Sequence, residues 1–194
     1  MESLALTFSS GWASGVNAYL VVLVLGTAER LGAAGVPEAL GRWEVLAVAG
    51  FLYAMEFVAD KIPYVDSAWD AVSTVIRPTA GAVIGVLLAG DADTLTQAVN
   101  GVVGGGTALA SHAVKAGSRL AINSSPEPVS NIVASVTEDV VVLALVWFAI
   151  EHPQLAAAVA AVLLATGLVV LYAVARFIRK GWRRLRRRGP EPVT

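Results

Sequence analysis

The sequence predicts an all-α, polytopic membrane helix bundle of about six transmembrane helices, with two proline-marked polar hinges forming an internal repeat. Three observations predict it. Of the 194 residues, 56% are hydrophobic and only 15% are charged, a balance that marks a chain dissolved in lipid rather than in water. Six apolar stretches approach the roughly 20 residues that a helix needs to cross the hydrocarbon. Finally, the formal net charge of −1 hides a strongly basic end, "RFIRKGWRRLRRRG", directly after the last apolar stretch, as expected at a cytoplasmic membrane boundary.

The stretches cover about 8–28, 43–60, 71–90, 95–117, 131–151 and 154–178. The last, "LAAAVAAVLLATGLVVLYAVARF", is the most apolar. The second is short and ends in charge. The fourth, "TLTQAVNGVVGGGTALASHAVKA", is the least apolar and reads as a broken or bundle-interior helix. Gly11/Gly15, Gly81/Gly85 and Gly101/Gly105 are small-xxx-small pairs that allow close backbone approach. Tyr19, Tyr53, Trp12, Trp43 and Trp69 suit interfacial belts. The start "MESLALTF" lacks a basic region and no cleavage site follows, so no signal peptide is read.

One transmembrane unit is expected over 1–179, with repeat halves at about 43–90 and 95–151, and a basic cytoplasmic tail over 180–194. Six crossings place both termini on the cytoplasmic side of a bacterial inner membrane. Lys61, Lys115 and Arg119 then face the cytoplasm and the acidic "GDADT" faces outward, while Arg30 and Arg42 dissent. Arg183, Arg184, Arg186, Arg187 and Arg188 are expected to bind anionic lipids; nucleic acid is not an expected partner, because the run abuts a span. Without cysteine, disulfides and thiolate chemistry are excluded. The two histidines, His112 and His152, lie too far apart for a histidine metal cluster. No cofactor and no catalytic set are read.

The repeat emerges when Pro63 is set against Pro126. "EFVADKIPYVDSAWDAVSTV" then aligns with "RLAINSSPEPVSNIVASVTE", placing Glu56 opposite Arg119, Asp60 opposite Asn123, Ser67 opposite Ser130 and Thr74 opposite Thr137. Each copy ends a span, passes a polar hinge and opens the next helix near a capping residue, through Ser67-x-x-Asp70 in the first and Ser130 or Asn131 in the second. Duplicated broken-helix hinges point to a transporter's central site.

Charges concentrate around these hinges. Glu56 and Asp60 share a helix face, as do Asp66 and Asp70. Arg77 precedes Pro78, which should kink its helix. His112, Lys115 and Arg119 form one basic stripe, and Glu138 and Asp139 lie two turns into the fifth span. Asp66, Asp70 and Glu127 read equally as interfacial loop residues, and Lys115 and Arg119 as side chains reaching headgroups. Arg77, Glu138 and Asp139 sit inside spans, where a charge costs several kcal/mol unless paired or wet. The expected pairing is Glu56/Asp60 with Lys115/Arg119, and Arg77 with Glu138/Asp139, around a polar cavity. His112 reads either as a proton-coupling residue or as a hydrogen-bonded bundle histidine.

"VADKIPYVDSAWDAVSTVIRPTAGA" and "SHAVKAGSRLAINSSPEPVSNIVASVTEDV" resemble the signature segments of a bacterial integral-membrane family known as domain of unknown function 4126, over roughly residues 10–178. The resemblance implies a small multi-span membrane protein and supplies no activity.

The favoured function is a small transporter or channel-like protein, a homodimer or other homo-oligomer. It would move an ion or small polar solute, an anion by preference, through a site of Glu56, Asp60, Lys61, Asp66, Asp70, Arg77, His112, Lys115, Arg119, Asn123, Ser130, Asn131, Glu138 and Asp139. The alternatives are an intramembrane enzyme acting on a lipid-linked or phosphate substrate, with Asp66, Asp70, Glu138 and Asp139 available to Mg²⁺, and a non-catalytic scaffold.

Overall fold

In a computed structural model the chain forms a helical bundle of six long helices. The structure describes residues 2–62, 64–122 and 128–187, with side chains described as far as 180 apart from that of Pro128. The helices are α1 (Glu2–Arg30), α2 (Trp43–Ala59), α3 (Val65–Leu88), α4 (Thr94–Ile122), α5 (Pro128–Glu151) and α6 (Pro153–Arg187), with a short 3₁₀ turn at Glu38–Gly41 before α2. Among the described residues there is no strand. α1, α3, α5 and α6 are long and apolar enough to cross a membrane. α2 is shorter, at 17 residues, and α4 carries a polar stripe on its buried face.

The centre of the bundle is α1, and α4, whose low hydropathy marks a broken or bundle-interior helix, buries its polar face against it. The most apolar window of α1 is 78% buried, against 33%, 28% and 6% for α3, α5 and α6. Bundle position here follows side-chain size. Gly11 and Gly15 let α1 press onto the backbone of α4, where a Cβ would collide with Gly104 and Ala108. Gly81 of α3 closes on Gly104 in the same way. Close backbone contact of this kind drives association where no hydrophobic effect operates. The lipid-facing sides of α5 and α6 are correspondingly rich in exposed Val, Leu and Phe.

Two local expectations are corrected. Trp12 is buried, and Tyr53 turns inward towards Asp139, so neither is a belt residue; Trp43 is exposed and stacks under Arg30 at 3.9 Å. α3 begins at Val65, so Ser67 lies inside the helix and does not cap it. Instead the Asp66 carboxylate accepts the Ser67 N–H at 2.6 Å. α3 remains one helix through Pro78, and the break in the fold lies elsewhere.

That break is at Asn17, whose φ of −152° and ψ of 95° divide α1 into two half-helices. Asn17 acts as the N-cap of the second half, its Oδ1 accepting the N–H of Leu20 at 3.0 Å. Pro63, Pro126 and residues 123–127, including Asn123 and Glu127, lie outside the described residues, as do Arg188 and the side chains of Arg183, Arg184, Arg186 and Arg187.

Candidate functional site

The polar residues of the spans converge on the turn of α1. α2 delivers Glu56 and Asp60 from its C-terminal end, α3 delivers Asp66, Asp70 and Arg77, α4 delivers His112, Lys115 and Arg119 from one stripe, and α5 delivers Asn131, Glu138 and Asp139. Glu56, Asp60, Asp66, Asp70, Arg77, His112, Lys115, Arg119 and Asn131 are all at most 4% exposed. Asp66 and Asp70 are therefore not loop residues at the surface, and Lys115 and Arg119 do not reach out to headgroups.

Lys115 sits at the middle. Its ammonium donates to Asp60 Oδ2 at 2.7 Å and to the carbonyl of Val16 at 3.0 Å, with Glu138 Oε2 at 3.5 Å and Glu56 Oε1 at 3.6 Å. Arg119, one turn on, pairs with Glu138 at 2.6 Å and Asp60 at 3.7 Å, and donates to the Asp60 carbonyl at 3.0 Å. It also approaches Asp66 at 4.0 Å and the Asn131 carbonyl at 3.4 Å. Of the expected pairing, Lys115 with Glu56 and Asp60, and Arg119 with Asp60, are present, while Glu56 is taken by Arg77 and Lys115 and does not pair with Arg119. The expected pairing of Arg77 with Glu138/Asp139 is not present: Arg77 binds Glu56 at 2.7 Å and Asp70 at 3.0 Å. Asp70 lies two turns before Arg77 on the same helix, and the i, i+7 relation puts both on one face.

Arg77 Nη1 also donates to the Gly15 carbonyl at 3.3 Å and to His112 Nδ1 at 2.8 Å. Asp139 accepts from the Asn17 side-chain amide at 3.0 Å and from Tyr53 at 3.4 Å. Lys61 stays at the rim, donating to the Phe57 carbonyl at 2.8 Å and to Ser135 at 3.4 Å. Ser130 is half-buried on the first turn of α5.

The sequence reading missed Asn17 and the carbonyls of Gly15 and Val16. Breaking α1 leaves these carbonyls without helical donors, and they carry the negative end of the first half-helix dipole. Arg77 and Lys115 supply the missing donors. The available signal was "SSGWASGVN", a run of serines, glycines and one asparagine inside an apolar span.

The buried groups do not balance in charge. Four fully buried carboxylates, Glu56, Asp60, Asp66 and Asp70, face three buried cations, Arg77, Lys115 and Arg119. Half-buried Glu138 and Asp139 add to the acidic side, and half-buried Lys61 at the rim offsets only one of them. Glu56 Oε2 and Asp60 Oδ1 have no hydrogen-bond partner. Arg77 Nε and Arg119 Nε are likewise without a hydrogen-bond partner, and a formal excess of acid costs free energy in a low-dielectric interior unless it is protonated, hydrated or paired. Among the described residues, no group of three or more Asp, Glu or His side chains converges to hold a metal ion.

Two features connect the cluster to its surroundings. A groove lined by Trp12, Ser111, Lys115, Ser118, Thr137 and Glu138, with Leu163 and Leu164 of α6 on its wall, opens beside it. The Glu138 side chain is 21% exposed, so the network reaches the surface of the bundle there. In the other direction, a polar seam continues along α1 and α4 through Ser14, Ser111 and Ser10 to Thr7, which donates to Asn100 at 2.8 Å. From Asn100 to Arg119 the helical rise is about 28 Å, close to the hydrocarbon thickness of about 30 Å.

Residues 4–173 match the model of a protein family described as Domain of unknown function (DUF4126). No curated protein and no solved structure matches the chain.

Proposed function

The chain belongs to the family described as domain of unknown function 4126, and we propose that it is a small multi-pass membrane transporter or channel-like protein whose buried charge cluster carries a proton or monovalent cation. The observation that carries this reading is the excess of buried carboxylates around the broken turn of α1. A cluster with a formal excess of acid, on a seam as long as the membrane is thick and reaching the surface at Glu138, has the parts of an ion pathway.

The charge balance favours a cation or proton over the anionic solute expected from sequence. All three buried cations are already held by carboxylates, so an anion would have to displace an acid from each. A solute moved together with the cation remains part of the proposal, with the groove beside Glu138 as its place of entry.

The internal repeat, a homodimeric assembly and placement in the bacterial inner membrane with the basic end cytoplasmic belong to the same proposal. The hairpins α2–α3 and α4–α5 support the repeat, because both turn at the end of the bundle where Asp60, Asp66 and Arg119 meet. Arg176, Arg179 and Lys180, exposed near the end of α6, support contact with anionic headgroups.

The test is tracer flux in proteoliposomes over a panel of H⁺, Na⁺, K⁺ and small anions. Cation or proton flux that is lost in Glu138→Gln supports the reading. Flux of an anion alone, or no flux of any member, overturns it.

A further inference from the structure

We infer that α1 is a re-entrant hairpin: it enters the membrane and leaves it on the same face, so the chain crosses five times and its termini lie on opposite sides. This inference rests on packing, helix length and charge, and is independent of the transport reading.

The first half of α1 runs alongside α4. Thr7 bonds Asn100, Gly11 meets Gly104, Gly15 meets Ser111, and the Val16 carbonyl meets Lys115. A straight helix would carry residues 20–26 onward past Arg119. They go the other way. Gly26 packs on Leu40 and Leu46, and Leu23 lies next to Gly50, so the second half runs antiparallel to α2. α2 in turn reaches Arg77 only at Glu56, which places Leu46 some 15 Å away along its axis. That displacement is towards the Gly85 end of α3, because Asp60 continues in the opposite direction to Lys115 and Arg119. Val22 accordingly shares a groove with Leu40, Ile84 and Leu87. Thr7 and Gly26 therefore lie at the same end of the bundle, with Asn17 deep inside it at the level of Lys115 and Asp139.

Helix lengths agree. The two halves, residues 2–16 and 18–30, span about 22 and 20 Å, and neither covers the roughly 30 Å of hydrocarbon. Buried non-helical backbone at membrane depth is tolerated where protein satisfies it, and Asn17 meets this condition through Leu20 and Asp139. Charge agrees independently. The first 29 residues contain no Lys or Arg, which suits an outward-facing terminus opposite the basic C-terminal end.

The chain has no native cysteine, so single-cysteine labelling tests the inference directly. Glu2→Cys, Ala34→Cys, Asp91→Cys and Thr194→Cys are expressed in full-length protein and treated in intact cells with a membrane-impermeant maleimide, then again after permeabilisation. Glu2, Ala34 and Asp91 are exposed, so these changes leave the core intact. The expected result is that residues 2, 34 and 91 react from one side and residue 194 only from the other. Labelling of residues 2 and 34 from opposite sides would show that α1 crosses, and would overturn the inference.

Discussion

Arg77 Nη1 lies 2.8 Å from His112 Nδ1, deep in the bundle. A guanidinium has only donors, so this ring nitrogen accepts and the proton sits on Nε2. Thr74 Oγ1 faces Nε2 at 3.0 Å and itself donates to the Asp70 carbonyl, which leaves it free to accept. His112 is therefore held as a neutral ring whose acceptor helps to seat Arg77. His112→Asn preserves an acceptor at the same reach and should cost about 1 kcal/mol in thermal unfolding. His112→Lys sets a fourth cation against Arg77 and should cost several kcal/mol. Equal tolerance of both changes would contradict the assignment.

The ion pairs make a second prediction. Removing Arg77 strips Glu56 and Asp70 of their shared cation, and removing Arg119 strips Glu138 of its nearest one, each at about 3–5 kcal/mol. The double change Glu56→Gln with Arg77→Met should recover part of that loss. Combining Glu56→Gln with Arg119→Met should recover none, because Glu56 and Arg119 belong to different pairs. Denaturation midpoints of the single and double variants in detergent measure the coupling.

Asn17 holds the turn of α1 by two separate bonds. Asn17→Ala removes the cap on Leu20 and the donor to Asp139, an expected loss of about 2 kcal/mol. Asn17→Ser keeps the capping oxygen and should lose about half as much. Should the two variants melt together, the cap is not what fixes the turn.

At the α3–α4 connection, Asp93 accepts the hydroxyl of Thr96 at 2.6 Å and the backbone N–H groups of Leu95 and Thr96. These bonds, that of the Thr96 hydroxyl foremost, hold its carboxyl below the ordinary value of 3.8. A depressed folded pKa gives stability that is complete above the ordinary value and is lost as the pH falls through the folded one. Thermal scans from pH 6 to pH 2.5 should show a small acid loss that is absent in Asp93→Asn. An identical acid profile in the variant would remove Asp93 from the account.

Much of this arrangement was legible before the fold was known. The spacing of His112, Lys115 and Arg119 placed them on one face, and that face is buried. The acids of the first hinge were legible for the same reason, since helical periodicity converts directly into a shared side. Periodicity says nothing about which helix comes to lie opposite, so the partner of Arg77 was misassigned to α5 when α2 and its own helix supply it. The turn at Asn17 was hidden because hydropathy sums over 20 residues and does not register one non-helical residue. Prolines mark the hinges in the sequence, while the broken backbone that contacts Arg77 and Lys115 is made by glycine, valine and asparagine.

The central claim is that the cluster on the turn of α1 carries positive charge across the membrane. Its most direct test is the current driven by an imposed potential in proteoliposomes, recorded for wild type, for Glu138→Gln and for the rim variant Lys61→Gln. The account predicts a cation or proton current that follows the imposed potential in wild type, a loss of at least tenfold in Glu138→Gln with the fold retained by circular dichroism, and a current largely preserved in Lys61→Gln. A wild-type current that survives Glu138→Gln unchanged, or no current at any potential in folded protein, would contradict it.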